Sequence, residues 1–152
     1  MKLGTKHFGE IEIDENRLIT FQEGLPGFAA LRKFAIFHEA MPDENGSESG
    51  EPVYTWLQSV ENGDVAFLLL NTFSVMPNYD PKINSDSITS LGEFTVDELL
   101  IRNIAVVPEN VQDMTVNLKA PIIINPRTML GKQVVAINED YKVKHYIMKE
   151  QI

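Results

Sequence analysis

Apolar residues along this chain fall in short runs of period two or unbroken runs of four to six, separated by turn-forming residues, and this pattern predicts strands. Phe8, Ile11 and Ile13 lead into Leu18, Ile19 and Phe21, with Gly9 and the Asp14-Glu15-Asn16 cluster as breaks. Glu23-Gly24-Leu25-Pro26-Gly27-Phe28 is a tight turn, because its glycines reach positive φ and its proline fixes one backbone angle. Residues 29–33 predict one helical turn and residues 34–37 a strand. Val53 to Val60 is a strong strand by residue type. Glu61-Asn62-Gly63-Asp64 turns it into a hairpin with Val65 to Leu70, whose apolar composition predicts cover on both faces.

Residues 71–98 are the least regular. The prolines at 77 and 81 exclude a long helix. Asp86 to Leu91 predicts a short helix, with Ser85 as cap and Gly92 as stop. Leu99 to Val107 predicts a strand ending at Pro108, and 115–118, 122–124, 133–137 and 143–148 predict four more, with Gly131 at a hairpin turn. Many short strands and few helices give an all-β class: a small antiparallel barrel or a strongly bent two-sheet structure with one or two short helices. At 152 residues, with no repeat or linker, one domain spanning 1–152 is expected.

Charge changes the picture. Residues 34–101 carry twelve carboxylates and one base, Lys82, a net −11 within a chain of net −9. Such a segment repels phosphate and attracts basic surfaces. Direct nucleic-acid binding is therefore not expected, and a basic protein partner is. With no cysteine there is no disulfide, thiolate nucleophile or thiolate metal site. No signal-peptide core or membrane-length apolar run occurs, so a cytoplasmic protein is expected.

Candidate chemistry is sparse. His7, His38 and His145 share no metal-ligand spacing on one element. Nucleophile-elbow, dinucleotide and P-loop motifs are absent. The acidic loop 42–52 fails as a calcium loop: counted from Asp43, glycines fall at positions four and eight instead of six, and Tyr54 stands where a glutamate is needed. Trp56, Phe67 and Phe37 read as core. Lys119, Arg127, Lys132, Lys142, Lys144 and Lys149 read as ordinary surface charge. No catalytic residue, cofactor or metal is expected.

Several segments in register carry a family likeness. They are Thr5-x-x-Phe8-Gly9-Glu10-Ile11, Phe21-x-x-Gly24-Leu25-Pro26-Gly27-Phe28, Trp56-Leu57-Gln58-Ser59 with Val65-Ala66-Phe67, and Val116-Asn117-Leu118-Lys119-Ala120-Pro121-Ile122-Ile123-Ile124-Asn125 with Gly131-Lys132-Gln133 and Tyr141. In this order and spacing the chain resembles the flagellar assembly factor FliW family, over about residues 3–147. Thr72 stands where the family pattern leads one to expect proline, and the 42–52 loop is longer than the pattern suggests. The resemblance implies a non-enzymatic bacterial switch that chaperones flagellin and also captures CsrA, a small basic RNA-binding regulator, relieving repression of flagellin translation. The regulator could be blocked on its RNA groove or beside it with phosphate repelled; the resemblance favours the second.

On this reading, the apolar side chains of irregular segments form a partner groove: Leu25 and Phe28 in the glycine turn, with Phe73, Val75, Met76 and Tyr79 in the proline-bounded stretch. Asp43, Glu44 and Glu48 would steer the basic partner. The alternative is a small β-barrel holding a small molecule in its mouth, possibly an enzyme, with Trp56 as a wall. A third reading, an RNA-binding barrel, is disfavoured by charge.

Overall fold

The computed structural model describes residues 1–37 and 53–148, with side chains described to Ile36 in the first stretch. Eleven strands occur in these residues: β1 (Lys2–Thr5), β2 (Gly9–Glu12), β3 (Ile19–Phe21), β4 (Lys33–Phe37), β5 (Tyr54–Ser59), β6 (Ala66–Leu70), β7 (Leu100–Val106), β8 (Thr115–Val116), β9 (Ile122–Asn125), β10 (Leu130–Gln133) and β11 (His145–Tyr146). β1 and β2 form a separate hairpin. The other nine form one sheet ordered β11-β8-β7-β6-β5-β4-β3-β10-β9, and β9 returns to pair with β7. That last pairing closes seven strands, β3 to β7 with β9 and β10, into a barrel. β8 and β11 extend outward from β7 as an annex. The pairings are antiparallel except that of β10 with β3. The expected all-β barrel is therefore the architecture, and among the described residues its short helices are 3-10 turns, the longest of them Ser85–Leu91.

The core forms on both sides of the barrel wall. Inside, Phe21, Phe34, Leu57, Leu69 and Ile122 are fully buried, with the Phe21 and Phe34 rings edge to face at 5.3 Å. Burying each such side chain is worth about 1.5–3 kcal/mol. Outside, Leu70 packs with Tyr79, Val116 and Leu118 beneath the annex. Leu69 and Leu70 thus face opposite sides and both are covered, as the apolar run of β6 implies. A third cluster, Leu91, Ile123 and Val134, lies under the 85–98 stretch.

Several local expectations shift. The glycine turn forms with Gly24 and Gly27 at φ 66° and 81°. Residues 29–33 make no helical element: Leu31 N–H donates to the Phe28 carbonyl, and β4 begins at Lys33. β1 has no counterpart among the predicted strands, because Lys-Leu-Gly-Thr carries one apolar side chain. The cap of the 85–91 turn is Asn84, whose side chain accepts from Asp86 N–H, one residue before the expected Ser85; Gly92 is the stop.

The largest correction concerns Gly131. It lies inside β10, opposite both Ile124 and Phe21, and the turn is made by residues 126–129, with Met129 at φ 58°. The strand is 130–133, earlier than the expected 133–137, because Gly131 is required by packing. A Cβ there would sit 2.7 Å from the Phe21 ring. Gly131→Ala would reduce the entropy lost on folding, a gain of about 0.5–1 kcal/mol. Overpacking a fully buried ring costs about 1–3 kcal/mol, so the clash wins. Urea unfolding of Gly131→Ala is expected to show a net loss of about 1–2 kcal/mol.

Candidate partner-binding surface

The strongest local constraint is a buried polar network around β7. Asn103, with no exposed surface, donates from Nδ2 to the Asn117 carbonyl (2.7 Å) and to Tyr79 Oη (3.0 Å), and accepts from Thr72 Oγ1 (2.5 Å). Tyr79 Oη donates to the Leu118 carbonyl (2.7 Å). Burial pushes the Tyr79 hydroxyl up to about 12, so it stays protonated. The chain between Thr72 and Tyr79 is thereby pinned at both ends to the root of the annex. Backbone bonds from Met76 N–H to the Thr72 carbonyl and from Tyr79 N–H to the Met76 carbonyl tighten it further.

This pinning decides which predicted side chains reach solvent. Phe73 and Val75 are exposed at 39% and 46%, and Met76 is half-buried against the annex core. Tyr79 is 3% exposed and Leu25 2%, so both are supporting core and not contact surface. Phe28, at 38%, stands edge-on to Phe67 at 5.3 Å. Phe67 is the second residue of β6 and Phe73 lies in the 3-10 turn Thr72–Ser74 that follows it, so at about 3.3 Å per strand residue roughly 10 Å of strand, plus that turn, separates them. The predicted groove is therefore two patches at opposite ends of β6. Asp43, Glu44 and Glu48 lie outside the described residues, as do His38 and Lys149 and the side chain of Phe37.

The acidic middle divides into committed and uncommitted groups. Glu61 accepts from the Arg32 and Lys33 N–H groups at 2.5 and 2.9 Å. Bonds first from Lys33 and then from Arg32 hold its carboxyl below the usual range. Glu98 closes a capping box with Thr95 and takes two hydrogen bonds from Arg127; Thr95 N–H first and the guanidinium second hold it low. Asp80 pairs with Lys82 at 2.6 Å. Asp64, Asp86, Glu93 and Asp97 are exposed, and their carboxylates make no ion pair among the described residues. Three of these four sit on the 85–98 stretch. Sequence reasoning counted these three within the acidic segment but did not select them. The signal available was their spacing around the Gly92 stop.

The basic residues are partly committed. Arg127 pairs with Glu98, Lys132 with Glu23 and the Ser87 carbonyl, and Lys119 with the Asn138 carbonyl. Trp56 is half-buried beneath the β1–β2 hairpin: Phe8 meets it edge-on at 5.0 Å and His7 stacks at 6.2 Å. Gly63 allows the hairpin to cross, since a Cβ there would lie within 2.1 Å of the Gly4 carbonyl oxygen. No group of three His, Asp or Glu side chains among the described residues could hold a metal ion, and no described helix is long and apolar enough to cross a membrane.

Comparison with known proteins decides what kind of protein carries these surfaces. A family model described as FliW protein matches residues 2–147. The chain belongs to the FliW family. It is 41% identical over 150 residues to the flagellar assembly factor FliW of Alkaliphilus metalliredigens, covering 99% of this chain and 88% of that one. It is 39% identical to the FliW of Caldanaerobacter subterraneus, covering 99% and 95%. A crystal structure of the flagellar assembly factor FliW superposes with a TM-score of 0.83 at 32% identity, with both chains fully covered. Within this FliW-family chain, Thr72, at the position where proline was expected, supplies the hydroxyl that binds Asn103.

Two measurements check this construction. Tyr79→Phe leaves the Leu118 carbonyl without its donor and removes one acceptor of Asn103. Its expected cost is about 1–3 kcal/mol in urea unfolding, with a larger loss of amide protection in 72–81 than in the barrel strands. Glu61 has a folded value below its unfolded one, so its stabilisation is full above the unfolded value near 4.5 and is lost as pH falls through the folded value. Glu61→Gln is therefore expected to lower the melting temperature at pH 7 and to flatten its fall on acidification below about pH 4.5.

Proposed function

We propose that this protein is a non-enzymatic flagellar assembly factor of the cytoplasm. It binds unassembled flagellin as a chaperone. When flagellin is scarce it sequesters the translational regulator CsrA and so relieves repression of flagellin translation. The observation that carries this reading is family membership over essentially the whole chain, residues 2–147. Two physical features support it. Exposed aromatic and aliphatic side chains on short anchored segments, Phe28 at one end of β6 and Phe73 with Val75 at the other, suit amphipathic client segments. The uncommitted carboxylates of Asp86, Glu93 and Asp97 suit a basic partner and disfavour nucleic acid at the same face.

Calorimetry with purified flagellin and with CsrA tests the pair of activities. Both are expected to bind at low salt, and added flagellin is expected to release CsrA. Absence of binding to either would sink this function. The triple variant Asp86→Lys, Glu93→Lys, Asp97→Lys is expected to slow CsrA association about tenfold or more at low salt, with dissociation little changed. The parallel variant Asp43→Lys, Glu44→Lys, Glu48→Lys distinguishes the 42–52 loop from the 85–98 stretch as the steering surface. An association rate that neither variant alters removes both from the encounter. Phe73→Ala and Phe28→Ala separate the two apolar patches by which of them weakens flagellin binding.

A further inference from the structure

An open cavity of about 540 Å³ lies at one mouth of the barrel, and none of its lining residues belongs to the two apolar patches or to the 85–98 stretch. Its origin is a gap in strand pairing. β3 pairs with β4 only at Ile19 and Thr20, so Ala35 and Ile36 run on with no β3 partner opposite them. The chain before β3 instead crosses the mouth as a 3-10 turn, Glu15–Arg17. Ile19 and Ile124 of the barrel core form part of the lining, with Leu100 and Met129, which pack against that core. Ile11 and Ile13, from β2 and the residue after it, contribute further aliphatic lining. The size is within the range of small-ligand sites, about 300–1,000 Å³.

The charges at this mouth are unequally engaged. Glu12 pairs with the Met1 amine at 3.3 Å. Asp14 accepts the Asn16 N–H at 2.9 Å. Arg17 lines the cavity, and its guanidinium makes no ion pair or side-chain hydrogen bond among the described residues. A planar cationic donor set beside aliphatic walls suits an amphiphilic anion, of which a hydrocarbon chain ending in a carboxylate is the simplest.

We propose that this mouth binds a medium-chain aliphatic carboxylate, with the chain against the accessible side chains of Ile11, Ile36, Leu100 and Met129 and the head group on Arg17. The site shares no lining residue with the proposed partner surfaces, and the proposal does not rest on them. Trp56, the wall expected for such a ligand, is covered by His7 and Phe8 and takes no part.

Calorimetry of the full chain with decanoate, and with decanol as a neutral chain of equal length, tests the site. Decanoate is expected to bind. Arg17→Gln, a change at an exposed position, is expected to weaken decanoate about tenfold while leaving decanol unchanged. Ile36→Trp is expected to fill the cavity and remove both, with a melting curve checking that the variant folds. Absence of decanoate binding at about millimolar concentration, or an affinity indifferent to Arg17→Gln, overturns the proposal. Flagellin and CsrA titrations run on the same variants keep the two readings distinct. If Ile36→Trp abolishes a protein partner while decanoate does not bind the unaltered chain, the cavity belongs to that partner and the small-ligand site is refuted.

Discussion

β7 is the strand on which the rest of the structure depends, because it must satisfy two different neighbours along one length. Its first three residues pair with β9 and close the barrel; its later residues pair with β6 and then with β8, opening the annex. A strand that changes partners leaves backbone groups facing the junction. Asn103 sits there, fully buried, and its amide ties Asn117 of the annex to Tyr79 and Thr72 of the irregular stretch. An unsatisfied amide in that position would cost about 1–3 kcal/mol per lost partner, so the network has to form as a unit. The exposed positions of Phe73 and Val75 are consequences of that buried unit: the segment turns outward where it does because both its ends are held.

The legible part of the sequence was the part governed by local pattern. Val53 to Leu70 announced β5, β6 and their turn through residue type and an Asn-Gly pair, and the glycine turn at 23–28 announced its backbone geometry. Register with distant strands was not legible. Gly131 looked like a turn because glycine usually is one. Its real cause, the Phe21 ring across a parallel pairing of strands about 110 positions apart, has no local signature. β1 escaped for a related reason: a hairpin that rests on Trp56 and Gly63 needs little hydrophobic content of its own. At the site, residue type identified apolar side chains in irregular segments, but it could not separate Phe73 from Tyr79. One hydroxyl, satisfied by Leu118 and Asn103, makes the difference between a contact residue and a pillar.

The acidic excess divides by the same logic. A carboxylate that accepts backbone N–H groups, as Glu61 does between β4 and the β5–β6 turn, is part of the fold and has little left to offer a partner. Glu98 likewise spends its oxygens on Thr95 and Arg127. Net charge alone overstates the surface available for recognition. Among the described acids of the segment, what remains after this subtraction is Asp64 and a short run on the 85–98 stretch, held over the Leu91, Ile123 and Val134 cluster. That run is packed from beneath, so its charges project from a supported surface where complementary charge can steer an encounter.

Closing seven strands into a small barrel leaves the interior filled by side chains, and so pushes recognition to the outside and the rims. The consequence is a separation of surface chemistries by place. The annex side carries Phe73 and Val75, the turn side carries Phe28, and the stretch over β9 and β10 carries the free acids. If, as proposed, two partners read these different chemistries, one apolar and one basic, they need not compete for the same atoms to exclude each other. They need only share β7, which borders the barrel closure on one side and anchors the Thr72–Tyr79 segment on the other. A ligand that altered the Asn103 network from the annex side would act on the strand that pairs with β9, beneath the acidic stretch, and the proposed switch between two clients would need such a physical connection.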